Sequence, residues 1–227
     1  MHYSSGDMNG YLYIVTDETL VPGCSHIQIA KKSLLGGAKV IQLRDKHKNG
    51  AELYAIAKEI RTLCTQHDAS FIVNDRLDIA LATGADGVHL GQDDLPLCAA
   101  RLLAPPPFII GVSVGSVKEA EIAERDGADY LGVGPVYPTG TKMDAGPAVG
   151  PELVKCIREK TALPIVAIGG INLSNAQDVL AAGADGIAVI SAVICSPDIN
   201  AASRIFVNLI TLKSQDQIYS STFTSYK

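Results

Sequence analysis

The chain has 227 residues, 47% of them apolar, and a formal net charge of −5. That length and apolar content suit one large domain with a substantial core and exclude a disordered chain. The mild acidity gives no electrostatic reason to expect nucleic acid, so an anionic ligand would need a local cationic site.

The first ten residues, MHYSSGDMNG, are polar and lack an apolar stretch of signal-peptide type. They read as an N-terminal extension, residues 1–10, ahead of one domain over residues 11–212. No apolar run is long enough to span a membrane, so no membrane partner is expected. The cysteines Cys24, Cys64, Cys98, Cys156 and Cys195 are scattered, odd in number and without a C-x-x-C pair. Reduced thiols in a cytoplasmic protein, with no zinc site, are the expectation.

Short apolar runs then recur along the chain: YLYIV (11–15), KVIQL (39–43), FIV (71–73), GVHL (87–90), FIIGV (108–112), YLGV (130–133), PIVAI (164–168) and GIAVI (186–190). Most are continuous and β-branched, as parallel strands buried on both faces require. Between them lie helical patterns. AELYAIAKEIRTLCTQH puts Leu53, Ile56, Ile60 and Leu63 on one face, and VKEAEIAERDG and PELVKCIREKT behave similarly. A weak repeat supports the alternation: LGGAKVIQLR, TGADGVHLGQ, DGADYLGVGP and AGADGIAVIS each run Gly-Ala, a polar residue, then a strand. Eight strand–helix units fit an α/β fold of the (β/α)8 TIM-barrel type, a single domain. An open doubly wound sheet is the alternative, but no G-x-G-x-x-G follows the first strand and the count of eight favours closure. The last residues, 213–227, are polar and rich in Ser and Thr, and read as a frayed tail.

In such a barrel the chemistry sits at the C-terminal strand ends. The second strand leads into Gln42, Arg44 and Lys46; the third into Asn74 and Asp75; the fourth into Asp93 and Asp94. The fifth brings Ser113, the sixth Thr139, Thr141 and Lys142, the seventh Gly169 and Gly170, and the eighth Ile190 and Ser191. One such cluster is ordinarily a solvated turn. Seven successive strand ends carrying polar chemistry are not explained that way.

Asp75 and Asp94 are carboxylates at neighbouring strand ends, a pairing that needs a cation or a proton between them. Mg²⁺ suits such a pair when substrate phosphates complete its shell. The plainer reading makes each the cap of the helix that follows. Arg44, Lys46 and Lys142 would surround the same phosphates, while Asp45 orients a cation or caps the next turn. Gly169 and Gly170 either expose backbone N–H groups to a second phosphate or simply make a tight turn before a helix capped by Asn172 or Ser174. His89 alternates with Val88 and Leu90 and so can point into the barrel, although a lone strand histidine is more often a satisfied core residue. Neither a Ser-His-Asp set nor G-x-S-x-G is present.

Taken together, QLRDK, VNDR, HLGQDD, GVS, GPVYPTGTK, AIGGI and VIS stand in the order and spacing of thiamine phosphate synthases. The chain resembles that family from about Tyr11 to Ile210. The resemblance implies transfer of hydroxymethylpyrimidine from its diphosphate to hydroxyethylthiazole phosphate, or the carboxylated form of it, with Mg²⁺ as cofactor. The products are thiamine phosphate and pyrophosphate. By the same resemblance Gln42, Leu43, Arg44, Asp45, Lys46, Asn74, Ser113 and Lys142 contact the pyrimidine diphosphate. Arg44, Lys46, Ser113 and Lys142 are the catalytic residues among them. Asp75 and Asp94 hold the metal, and Thr139, Gly140, Thr141, Gly170, Ile190 and Ser191 hold the thiazole phosphate. Asp93 is secondary. The substitution is expected to be dissociative. Two other readings are a thiazole tautomerase, which needs neither metal nor diphosphate, and a non-catalytic sensor of thiamine precursors. Partners are small molecules; self-association is left open.

Overall fold

The computed structural model describes residues 10–141 and 146–224, with side chains described as far as Thr211. Each apolar run expected as a strand is one. They are β1 (Tyr11–Thr16), β2 (Val40–Leu43), β3 (Ser70–Asn74), β4 (Gly87–Leu90), β5 (Ile109–Val114), β6 (Tyr130–Val133), β7 (Ile165–Ile168) and β8 (Gly186–Val189). All pair in parallel in sequence order, and β8 returns to β1 through Leu12 opposite Ile187, which closes the barrel.

Between the strands lie α1 (His26–Leu35), α2 (Gly50–Gln66), α3 (Leu77–Thr83), α4 (Leu97–Leu103), α5 (Val117–Arg125), α6 (Gly150–Arg158) and α7 (Ala176–Ala181). A short α8 (Ser191–Ile194) and a long α9 (Ile199–Thr224) follow β8. Local sequence sets several of the starts. Ser25 with Gln28, and Asn49 with Glu52, form reciprocal capping boxes on α1 and α2, satisfying backbone donors that a helix start leaves open. In α2, Leu53 and Ile60 are buried and Ile56 and Leu63 pack against the core, the face anticipated from their spacing.

Period-two alternation divides each strand between two cores. Leu12, Ile14, Ile41, Leu43, Val73 and Leu131 join the layer beneath the helices. Tyr13, Val15, Val40, Ile72, Tyr130 and Val166 fill the barrel interior. Glycines on the inner faces make room for the large rings. A Cβ on Gly111 would lie 2.0 Å from Tyr130 Cζ, and one on Gly132 would lie 2.7 Å from His89 Cε1.

The sequence repeat has a structural counterpart at the opposite end of the barrel. In three copies its polar residue is an aspartate leading into an even-numbered strand. Asp86, Asp129 and Asp185 accept from the backbone N–H of Phe71, Ile110 and Ile165, at the start of the preceding strand. Each also pairs with an arginine of an outer helix: Arg61, Arg101 and Arg158, respectively. Three carboxylates thus clamp strands β3, β5 and β7 where they enter the barrel.

The last segment departs from expectation. The α9 backbone is helical to Thr224, through most of the stretch read as a frayed tail. After Pro197 the sequence has neither proline nor glycine, so a helix docked through Ile199, Phe206 and Ile210 meets nothing that breaks it. Residues 1–9 of the N-terminal extension and 225–227 of the tail lie outside the described residues. No helix among the described residues is long and apolar enough to cross a membrane.

Candidate active site

A cavity of about 450 Å³ opens at the C-terminal strand ends. Of the residues singled out from sequence, Gln42, Arg44, Asn74, Ser113, Thr139, Gly140, Thr141, Gly170, Ile190 and Ser191 line it, and so does His89. Strand alternation explains the set on β2 to β5. Gln42, Asn74, His89 and Ser113 occupy inward positions, each one step above an apolar or glycine layer.

The same alternation removes two residues from the wall. Leu43 is 1% exposed and buried under the helices, so only its backbone remains available to a ligand. Asp45 likewise turns away. Its Oδ1 accepts from His47 N at 2.7 Å and Lys48 N at 2.9 Å, and its Oδ2 lies 2.9 Å from His26 Nε2. Both roles weighed for it are seen: it caps the turn, and its Oδ2 lies 3.8 Å from Lys48 Nζ. Lys142 lies outside the described residues.

Beside the cavity, at the ends of β2, β3 and β4, stands a charged group. The Lys46 ammonium bonds Asp75 Oδ2, and Asp75 and Asp94 are hydrogen-bonded through their carboxyl groups. Asp94 Oδ2 also accepts from Gly91 N at 2.7 Å. Burial alone would raise both acids. For Asp75 the hydrogen bonds from Asp94 and Lys46 outweigh burial and hold it below the ordinary aspartate range. Asp94 is pushed up by burial and by its neighbour's charge. The two therefore behave as a pair that shares one proton or one counter-cation. Neither caps a helix: the N-cap positions of α3 and α4 are Arg76 and Pro96, and neither helix has a side-chain cap bond. Asp75 also adopts φ +60°, a conformation disfavoured for a residue with a Cβ, which marks a position held by its surroundings. Arg44 reaches the cavity from β2 with its Nη1 3.7 Å from Asp17 Oδ2.

Across the mouth, the loops after β6, β7 and β8 form a second group with a different chemistry. Thr139, Gly140 and Thr141 face Gly170 and Ser191, with Thr141 Oγ1 3.5 Å from Ser191 Oγ. Gly170 has φ +64°, and a Cβ there would lie 2.6 Å from Pro138 O. Glycine is therefore required where the β6 loop crosses the β7 turn, as well as for the turn itself. Neither Asn172 nor Ser174 caps α7 directly. Asn172 Oδ1 accepts from Ser174 N, and Asn175 Oδ1 from Asn172 N, within the turn.

The floor carries residues that sequence reasoning passed over. Tyr13 and Tyr130 are buried with their phenol oxygens 2.8 Å apart. Gln42 Nε2 donates to Tyr13 at 2.7 Å. Tyr130 reaches His89 Nδ1 at 2.9 Å, and His89 Nε2 lies 2.9 Å from Ser113 Oγ. A chain of hydrogen bonds thus links Gln42 to Ser113 across the barrel. Burial raises both phenols above the ordinary tyrosine range, so neither ionises at neutral pH. The available signal was the inward glycines at 111 and 132, which mark where bulky rings must fit.

Comparison with known proteins gives the family. The sequence profile of the family described as Thiamine monophosphate synthase matches residues 12–193. A Thiamine-phosphate synthase of Methanospirillum hungatei is 80% identical over 199 residues, 88% of this chain and 97% of that protein. Another, from Methanocella arvoryzae, is 55% identical over 204 residues, 90% of this chain and 95% of that protein. The solved thiamine phosphate pyrophosphorylase of Pyrococcus furiosus superposes with a TM-score of 0.82 at 45% identity, covering 89% of this chain and 98% of that one. The chain belongs to the thiamine phosphate synthase family of enzymes.

Proposed function

We propose that the chain transfers hydroxymethylpyrimidine from its diphosphate to hydroxyethylthiazole phosphate or the carboxylated thiazole, forming thiamine phosphate and pyrophosphate, with the carboxyl group leaving as CO2 in the second case. The observation that carries this reading is the division of one cavity. Arg44 with the Lys46–Asp75–Asp94 group stands on the β2–β4 side, and the Thr139–Thr141, Gly170 and Ser191 loops stand on the β6–β8 side. Two chemically different anion subsites beside one cavity suit two phosphorylated substrates.

Asp75 and Asp94 fit a Mg²⁺ ion. They are two carboxylates in contact, already drawing an ammonium, and offer the oxygen donors that this ion takes together with substrate phosphates. When bound, Mg²⁺ supplies positive charge to the diphosphate oxygens. Arg44 forks onto the same oxygens, and Lys46 adds a point charge. By the family resemblance Lys142 joins them. Ser113 and Gln42 orient the pyrimidine from opposite ends of the hydrogen-bonded floor, and Asn74 lies between them on the wall.

In the reaction the bond from the pyrimidine methylene to the diphosphate oxygen breaks, and its electron pair leaves with pyrophosphate. The thiazole ring nitrogen then donates its lone pair to that methylene. This nucleophile needs no deprotonation, and His89 has both ring nitrogens engaged by Tyr130 and Ser113. Anion stabilisation at the leaving group is the main demand on the protein. The electron-rich aminopyrimidine carries the intervening positive charge, so the substitution is dissociative. The setting is cytoplasmic, in keeping with five free cysteines.

A turnover assay with both substrates and Mg²⁺ tests the assignment. Pyrophosphate release that requires both substrates is the expected result. Metal-independent isomerisation of a thiazole carboxylate would instead identify a tautomerase, and tight binding without turnover a sensor.

A further inference from the structure

A buried hydrogen-bonded cluster lies behind the Arg44–Lys46 turn, outside the cavity wall. His26, the first residue of α1, is 1% exposed. Its Nδ1 lies 2.8 Å from Thr16 Oγ1 at the end of β1, and its Nε2 lies 2.9 Å from Asp45 Oδ2. Arg44 N donates to the same Thr16 hydroxyl at 3.5 Å. Lys48 bonds Glu18, and its Nζ stands 3.8 Å from Asp45 Oδ2.

Glu18, His26 and Asp45 bring their ligand atoms within 4.8 Å of one another, a spacing compatible with a metal ion. Lys48 already supplies the positive charge there, so the cluster is an internal network and not a metal centre. An ionised Asp45 can only accept, so Nε2 of His26 carries the proton between them. The carboxylate is thereby held on both oxygens, by the imidazole on one side and by the amides of His47 and Lys48 on the other. Arg44 and Lys46, immediately either side of Asp45, are long side chains that would otherwise sample many directions.

We propose that His26 is a positioning residue for diphosphate binding: through its bond to Asp45 it ties the Arg44–Lys46 turn to the start of α1 and so sets where the two cations stand. It acts through Asp45 and touches no substrate. This rests on the reading that Arg44 and Lys46 face the diphosphate.

The His26→Gln and His26→Asn variants of the full chain separate this role from packing. A glutamine amide takes the place of Nε2 and keeps the bond to Asp45. An asparagine amide takes the place of Nδ1 and keeps only the bond to Thr16. Steady-state kinetics for both substrates, with thermal midpoints, are the first measurement. His26→Asn should raise KM for the pyrimidine diphosphate about tenfold or more, with KM for the thiazole phosphate within about twofold. His26→Gln should stay within about threefold of the wild type in both. Equal behaviour of the two variants, or a parallel rise of both KM values, overturns the proposal. Should the wild type fail to turn over, the proposed function falls by itself. Calorimetric titration with inorganic pyrophosphate and Mg²⁺ then decides the positioning role. Affinity about tenfold weaker in His26→Asn than in His26→Gln keeps it, and no difference, including no binding by either, overturns it.

Discussion

Asp75 and Asp94 differ in their acidity although they touch. Burial raises both, and the hydrogen bonds from Asp94 and Lys46 together bring Asp75 down while the charge of Asp75 keeps Asp94 up. A group built this way should lose its purpose when either the metal or one carboxylate is removed. Excess chelator should abolish pyrophosphate release, and Asp75→Asn should lower the rate about 100-fold or more, as loss of a principal electrostatic contact does. Initial rates with and without chelator measure both, and full activity in chelator would refute the metal assignment. Asp45 illustrates the opposite situation, an acid with a structural task. Burial would raise it, but the bonds from His26 and the amides of His47 and Lys48 prevail, and its pKa falls from 3.8 to about 2. An acid depressed in the folded state binds protons more readily once unfolded. Its contribution is therefore complete above the ordinary aspartate value and is lost as pH falls from about 4 towards 2. Unfolding by urea across that range should show Asp45→Asn with a flatter acid limb than the wild type. An unchanged slope would mean that the carboxylate is not stabilised by these contacts.

At the scale of elements, the two ends of the barrel do different work. The aspartate clamps stand at the strand starts, far from the cavity mouth. Asp129→Ala leaves Ile110 N without its acceptor and takes the carboxylate from Arg101, which keeps its bonds to the carbonyls of Gly127, Ala104 and Phe108, and should cost about 2 kcal/mol of stability. Chemical denaturation should register the loss while both KM values stay at wild-type levels, and an altered KM would show that the two ends are coupled. At the other end, Gly170→Ala would drive a Cβ into Pro138 O, 2.6 Å away, and displace the loop that carries Thr139–Thr141. The expected result is a raised KM for thiazole phosphate with little change for the pyrimidine diphosphate. Equal changes for both would contradict the two-subsite division. The repeat of Gly-Ala and a polar residue was readable from sequence, but its role was not. Asp86, Asp129 and Asp185 find their partners on strands and helices 15 or more positions away, and only the closed sheet brings those together.

For the whole molecule, a net charge of −5 means that the anionic substrates proposed would bind against the global field, held by a few local cations. Catalysis concentrated on the leaving group predicts a particular sensitivity to substrate electronics. Replacing the pyrimidine ring methyl by trifluoromethyl withdraws electrons from the developing cation. Single-turnover rates should fall by orders of magnitude while binding changes little. An undiminished rate would indicate direct displacement by the thiazole nitrogen and would leave the family membership intact.

Sequence by itself determined the strand count, the alternation with helices, the barrel class and the family, because those properties rest on local periodicity and on motifs contiguous in the chain. It also pointed to the inward polar positions Gln42, Asn74, His89 and Ser113, since inward strand positions follow from alternation once one of them is known. Only the tertiary structure decided that Asp45 spends its oxygens on the turn and on His26, that Lys46 lies on Asp75, and that α9 runs on through a polar segment. It alone revealed the Gln42–Tyr13–Tyr130–His89–Ser113 floor and the His26 network behind Arg44. The physical reason is the same in each case. A hydrogen bond between side chains 10 to 117 positions apart depends on barrel closure and on rings packed against glycines, neither of which leaves a mark in any one stretch of chain.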